Sequence, residues 1–145
     1  MFKKNSTLKI VVVSGGLGGL SKTEALVSTI AEEISKHTAV DIHLVKFSEI
    51  GMLVGQALYR NELPKLVQNC LQAIENADAL IIGTPVYRAS FSGLFKHFFD
   101  FVEQYSLINK PVLLAATGGS EKHALVIEHQ LRPLFSCFQT HTLPL

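Results

Sequence analysis

A chain of 145 residues with a formal net charge of +1 is one domain's worth of sequence, long enough to bury a core and too short for two. Hydrophobic residues make up 48% of it and charged residues 17%, so neither the basic footprint of a nucleic-acid binder nor an acidic tail is present, and a small molecule is the expected partner. No apolar run approaches the roughly 18 residues of a membrane span, and residues 1–7 are polar with no signal-peptide core.

Residues 8–13 form a continuous apolar run with one lysine, ending in a glycine cluster, which predicts a parallel strand buried on both faces. Leu26, Ile30 and Ile34, with Val27 and Ala31 beside them, then fall on one helical stripe, while Glu24, Glu32, Glu33 and Lys36 take the other side. Residues 40–47 alternate Val40, Ile42 and Leu44 against Asp41 and His43, the pattern of a half-exposed strand near a sheet edge. Residues 47–61 read as a long irregular stretch.

A second helix carries Leu63, Leu66, Val67, Cys70, Leu71 and Ile74, with Pro64 where a first turn tolerates it. Residues 79–83 are a short buried strand, and a third helix opening at Gly93 turns Leu94, Phe95, Phe98, Phe99 and Val102 inward. A fourth buried strand spans 111–116, a fourth helix 121–138, and residues 140–145 begin a fifth strand. Cys70 and Cys137 both lie within apolar helical patterns, so two buried, reduced thiols and a cytoplasmic location are expected.

Strands and helices in strict alternation force parallel pairing through right-handed crossovers, giving a three-layer, doubly wound α/β sheet. Ligands of such sheets sit outside the carboxyl ends of the strands. Three strand-ending loops rich in Gly, Ser, Thr and Pro, at 14–23, 84–93 and 117–120, are therefore expected to converge on one pocket.

The first loop, from Ser14 to Thr23, joins a buried strand to a helix, so free backbone amides and the positive helix end face an anion. Ser21 and Thr23 add hydroxyl donors and Lys22 a positive charge, which makes phosphate the natural guest. The plainer reading is a flexible turn with Ser21 as an ordinary N-cap. The dinucleotide fingerprint G-x-G-x-x-G fails, since counting from Gly16 its last position is Ser21. A triphosphate-binding P-loop nearly fits, but Ser21 replaces its second glycine and residues 79–83 do not end in a magnesium-holding aspartate, which leaves a nucleotide triphosphatase as the lesser alternative.

Together with Thr84-Pro85-Val86-Tyr87-Arg88 and its continuation to Lys96, and with Ala116-Thr117-Gly118-Gly119, this loop resembles the NAD(P)H-dependent FMN reductases. The nearest branch is the one that supplies reduced flavin to alkanesulfonate and methanesulfonate monooxygenases, and the likeness covers essentially the whole chain. The resemblance implies a flavodoxin-like α/β/α sandwich with strand order 2-1-3-4-5, binding FMN and using NADH or NADPH as co-substrate. It places the FMN phosphate on Ser21, Lys22 and Thr23, counts Ser14 among the cofactor-binding residues, lines the flavin with Pro85, Val86, Tyr87 and Arg88, and brings Thr117, Gly118 and Gly119 to the ring edge. Lys22 stands where the family usually has arginine, a point charge in place of a planar fork.

The reaction so implied is hydride transfer from C4 of a nicotinamide to N5 of FMN, with reduced flavin passed to a partner monooxygenase. The cofactor carries the chemistry, so no catalytic acid or base is nominated, and no metal ligands. Two other readings stay open on this fold, an FMN-retaining quinone, azo or chromate reductase and a non-catalytic electron carrier. A degenerate interaction module that binds no flavin is a third.

Pro133 has no N–H, so a regular fourth helix leaves the carbonyl of His129 without its donor and invites a kink or π-bulge. In the related reductases this helix packs at a tetramer interface and carries its bulge at the matching position, which implies a homodimer or homotetramer and an assembly and gating role for His129. A surface histidine is the plain alternative. The remaining histidines, among them His97 and His123, show no metal-ligand spacing and read as solvated or locally bonded. A last helix normally follows the fifth strand of this fold and is missing from the sequence, so the single domain at 1–145 is expected to be incomplete at its carboxyl end.

Overall fold

A computed structural model describes residues 6–144. Its centre is a five-stranded sheet in the order β2-β1-β3-β4-β5, with every pairing parallel. The strands are β1 (Leu8–Ser14), β2 (Val40–Lys46), β3 (Ala79–Pro85), β4 (Pro111–Thr117) and β5 (His141–Thr142). This is the flavodoxin-like topology expected from the sequence. Of the residues assigned to a fifth strand, only His141 and Thr142 pair, with Pro111 and Val112, and Leu145 lies outside the described residues. Among the described residues no helix follows β5.

Alternation along the inner strands feeds two cores. Val11, Val13, Leu80, Ile82, Val112 and Leu114 turn to one face, against α2 (Phe47–Gly55), α3 (Lys65–Asn76), α4 (Gly93–Asp100) and α5 (Arg132–Cys137). Phenylalanines dominate that side, Phe95 meeting Phe99 at 4.8 Å between ring centroids and Phe99 meeting Phe135 edge-on at 5.1 Å. Ile10, Val12 and Ile81 turn to the other face, against α1 (Lys22–Ser35).

Four local readings change. The stretch expected to be irregular contains α2, whose Phe47, Ile50 and Val54 are buried at helical spacing, and a 3₁₀ turn over Arg60–Glu62. The inner face of α1 is formed by Thr23, Val27 and Ala31, while Leu26 is exposed and Ile30 and Ile34 flank the contact. Small residues face the sheet there because the helix comes close, a Cβ at Gly83 falling 2.4 Å from Val27 Cγ1. Cys70 is buried as expected, but Cys137 is exposed because Leu131, Phe135 and Phe138 take the inward positions of its segment.

The fourth helix is not one regular element. It runs as a 3₁₀ turn at Glu121–His123, a π-helical turn at Ile127–Leu131 and then α5. The Arg132 amide donates to the Ile127 carbonyl five residues back, the widened turn that Pro133 was expected to provoke. Behind the sheet, Arg60 forks onto Glu75 with both bonds at 2.7 Å and donates to the Phe101 carbonyl, while the Glu103 amide donates to the same carboxylate. Lys110 caps the carbonyl of Glu75, so α3 is tied to the loop after α4 and to the start of β4.

Candidate functional site

The three loops that end β1, β3 and β4 do converge. They enclose a cavity of about 430 Å³ lined by Gly16, Gly18 and Leu20, then Ser21, Lys22 and Thr23, with Pro85, Val86 and Tyr87 on one wall and Thr117, Gly118 and Gly119 on the other.

One end of the cavity is the start of α1. Ser21 is its N-cap, extended at φ −135°, and the Ser21 hydroxyl accepts from the Glu24 amide at 3.1 Å. That bond uses the oxygen as acceptor and leaves the hydroxyl proton free to donate, so the N-cap reading and the anion-binding reading hold together. Lys22 follows at the first helical position, exposed, and is the one charged side chain among the described lining residues. Lys46, which pairs in register with Ser14, is engaged with Glu49 at 3.1 Å and Glu24 at 3.6 Å, and the bond to Glu49 leads the interactions that hold its ammonium protonated. Gly16 is needed for closeness, since a Cβ there would lie 3.0 Å from Ser21 Oγ.

Cross-bonds fix the other walls to this loop. Thr23 Oγ1 and Thr117 Oγ1 are hydrogen-bonded at 2.7 Å, and the Val86 amide donates to the Thr117 carbonyl at 3.1 Å. The Leu17 amide donates to the Tyr87 hydroxyl at 3.0 Å, so the aromatic wall is latched to the glycine loop. Beyond Tyr87 the chain reverses in a two-residue turn. Tyr87 and Ser90 exchange both backbone bonds, at 2.7 and 3.0 Å, with Arg88 at φ 46° and Ala89 at φ 67°. The Ser90 hydroxyl donates to Gln130 of the π turn at 2.9 Å.

Of the eleven residues singled out from sequence, nine line the cavity. Ser14 is buried beneath it, and Arg88 is exposed on the turn, outside the lining. Gly16, Gly18 and Leu20 line it without having been named singly, although the glycine run held that information. His123, expected from the sequence to be solvated or locally bonded, has its Nδ1 buried without a partner, beside Gly118. No sequence pattern marks that contact. His97 is locally bonded, 2.6 Å from the Ala57 carbonyl. Among the described residues no group of three His, Cys, Asp or Glu side chains could hold a metal ion.

The fold and cavity define the class: a doubly wound parallel domain with a cavity at its strand ends, walled by three loops. The family model described as NADPH-dependent FMN reductase matches residues 8–145. The chain is 50% identical over 141 residues to the NADH-dependent FMN reductase SfnE of Pseudomonas putida, covering 97% of this chain and 76% of that protein. It is 46% identical over 140 residues to an FMN reductase (NADPH) of Pseudomonas aeruginosa, covering 97% and 75%. Among solved structures, an oxidoreductase of Corynebacterium diphtheriae superposes with a TM-score of 0.87 at 30% identity, over 95% of this chain and 79% of that one. The apo form of the NADH:FMN oxidoreductase EmoB gives 0.81 at 28% identity, over 94% and 72%. The chain belongs to the NADPH-dependent FMN reductase family.

Proposed function

We propose that this protein is an NAD(P)H:FMN oxidoreductase whose FMN occupies the cavity between the ends of β1, β3 and β4. The observation that carries the reading is the cradle at the start of α1, where the Ser21 hydroxyl, the Lys22 ammonium and the unpaired first-turn amides of Lys22 and Thr23 face one phosphate-sized anion. The cavity fits the rest of the group. Pro85, Val86 and Tyr87 provide a flat wall for an isoalloxazine ring, and Gly118 and Gly119 allow main-chain donors to reach its polar edge.

FMN, when bound, supplies the redox chemistry by taking a hydride from the nicotinamide of NADH or NADPH. The chain's own work is to hold and to orient. Ser21, Lys22 and Thr23 hold the phosphate, the Tyr87 hydroxyl fixes the glycine loop through Leu17, and Thr117 is kept in place by Thr23. No side chain needs to move a proton.

We assign the chain to the sulfonate branch, with reduced flavin passed to a partner monooxygenase; the likeness to SfnE and SfnF, each near half identical to this chain, supports the branch. A homodimer or homotetramer is the assembly we assign, supported by exposed Leu17 and Leu20 on the glycine loop and by exposed Leu125 ahead of the π turn. Free thiols at Cys70 and Cys137 suit a reducing cytoplasm. One domain over residues 1–145 is supported by the family match at 8–145. Oxidation of NADH and of NADPH followed at 340 nm with FMN added tests the activity. Folded protein that oxidises neither refutes it.

A further inference from the structure

His123 stands against the loop that forms one wall of the cavity, and its placement calls for a reason. A Cβ at Gly118 would lie 2.9 Å from His123 Cβ and 3.1 Å from Cδ2, so the imidazole rests directly against the Gly118 backbone. The His123 amide closes the turn by donating to the Ser120 carbonyl at 3.1 Å. The ring nitrogen Nδ1 is buried with no hydrogen-bond partner. A buried, unpaired nitrogen is costly, and one that is kept calls for a specific explanation. Across the contact, among the described residues, the amides of Gly118 and Gly119 have no backbone acceptor.

A buried, unpartnered ring nitrogen and two exposed amides with no backbone acceptor thus share one short loop. A half-turn about Cβ–Cγ exchanges Cδ2, which now faces Gly118, for Nδ1, and this torsion is broad and roughly two-fold. We propose that His123 is a positioning residue for the 117–119 wall: when the cavity is filled, its Nδ1 accepts an amide proton from the Gly118–Gly119 segment and fixes the other amide toward the ligand's polar edge. This rests on the reading that FMN occupies the cavity. His123 acts through the loop and does not itself line the cavity.

The test uses FMN itself. His123→Leu removes the acceptor at similar size, and His123→Asn keeps an oxygen near the position of Nδ1. Flavin fluorescence titration is expected to give an FMN Kd about tenfold higher for the leucine variant and within about threefold of the parent for asparagine, with the KM for NADH unchanged. Equal affinity in the leucine variant, or equal losses in both, overturns the proposal, the second by showing that only ring packing matters. A measurement on the unaltered protein stands apart from any folding defect. In ¹⁵N-histidine-labelled protein the Nδ1 resonance of His123 is expected to move on adding FMN, as a free acceptor becomes bonded. A resonance that stays put while FMN binds overturns the proposal. Failure of the unaltered protein to bind FMN overturns the cavity reading, and this inference with it.

Discussion

Val27 on α1 and Gly83 on β3 meet so closely that a methyl group at position 83 would lie 2.4 Å from Val27 Cγ1. Thr23 Cγ2 adds a second contact, at 3.1 Å from the same point. The helix whose first turn forms the anion cradle is thereby seated directly on the strand whose end supplies the Pro85 to Tyr87 wall.

Gly83→Ala is expected to destabilise the protein by about 1–3 kcal/mol through overpacking. Val27→Ala alone leaves a cavity and costs about 2 kcal/mol. The double variant is expected to lose less than the sum, because each change relieves the other. Urea unfolding of the three variants checks this, and strict additivity would show that the two positions are independent.

Lys22 supplies the cradle's charge. Lys22→Ala is expected to raise the FMN Kd about tenfold at low salt, with the gap narrowing as ionic strength rises. Lys22→Arg is expected to tighten binding, since a guanidinium can take two phosphate oxygens at once. Fluorescence titration at two salt concentrations reads both effects.

Tyr87→Phe removes the acceptor of the Leu17 amide while keeping the aromatic face. Leu17 is exposed, so water replaces the lost partner and stability falls by no more than about 1 kcal/mol. FMN affinity is expected to fall further than stability does, because the glycine loop loses its tie across the cavity. Thermal melts with and without FMN separate the two quantities.

Glu75 makes the fold sensitive to acid. Burial pushes its carboxyl up, but the Arg60 fork, the Glu103 amide and the charge of Lys110 together outweigh this and hold it below the usual carboxylate range. A depressed pKa contributes stability that is present above the unfolded value, about 4.3, and is lost as pH falls through the folded value. Glu75→Gln is therefore expected to cost about 2 kcal/mol at pH 7. The deficit should hold from pH 8 to 5 and shrink below about pH 4, as the parent loses its advantage. Urea midpoints at four pH values measure it.

The inner strands could be read from the sequence because their apolar runs are continuous and end in loop-forming residues. α2 was hidden behind Ser48, Gly51 and Gly55, poor helix formers, although Phe47, Ile50 and Val54 keep helical spacing. In α1 helical spacing alone does not show which edge of the apolar stripe lies deepest. Leu26 and Ile30 are the larger residues, yet Gly83 lets Thr23 and Val27 lie deepest, with Ala31 buried on the same face. At the site, the strand-ending loops announced themselves by composition. Arg88 misled because a turn with two left-handed residues carries it outward, and a sequence without glycine there gives no warning of such a turn. His123 was unreadable, since its meaning depends on what lies against Gly118.

The widened turn before α5 also sets what changes in length the chain can bear. Val126, Leu131, Phe135 and Phe138 are buried in succession, so the step across the π turn is five residues where a regular helix takes three or four. One residue there is surplus to the spacing of the core. Shortening the chain by a single residue between 127 and 130 would bring Val126 and Leu131 into ordinary α register with both still facing inward. The same deletion inside α3 would swing every later side chain by about 100° and empty the core of Cys70, Leu71 and Ile74.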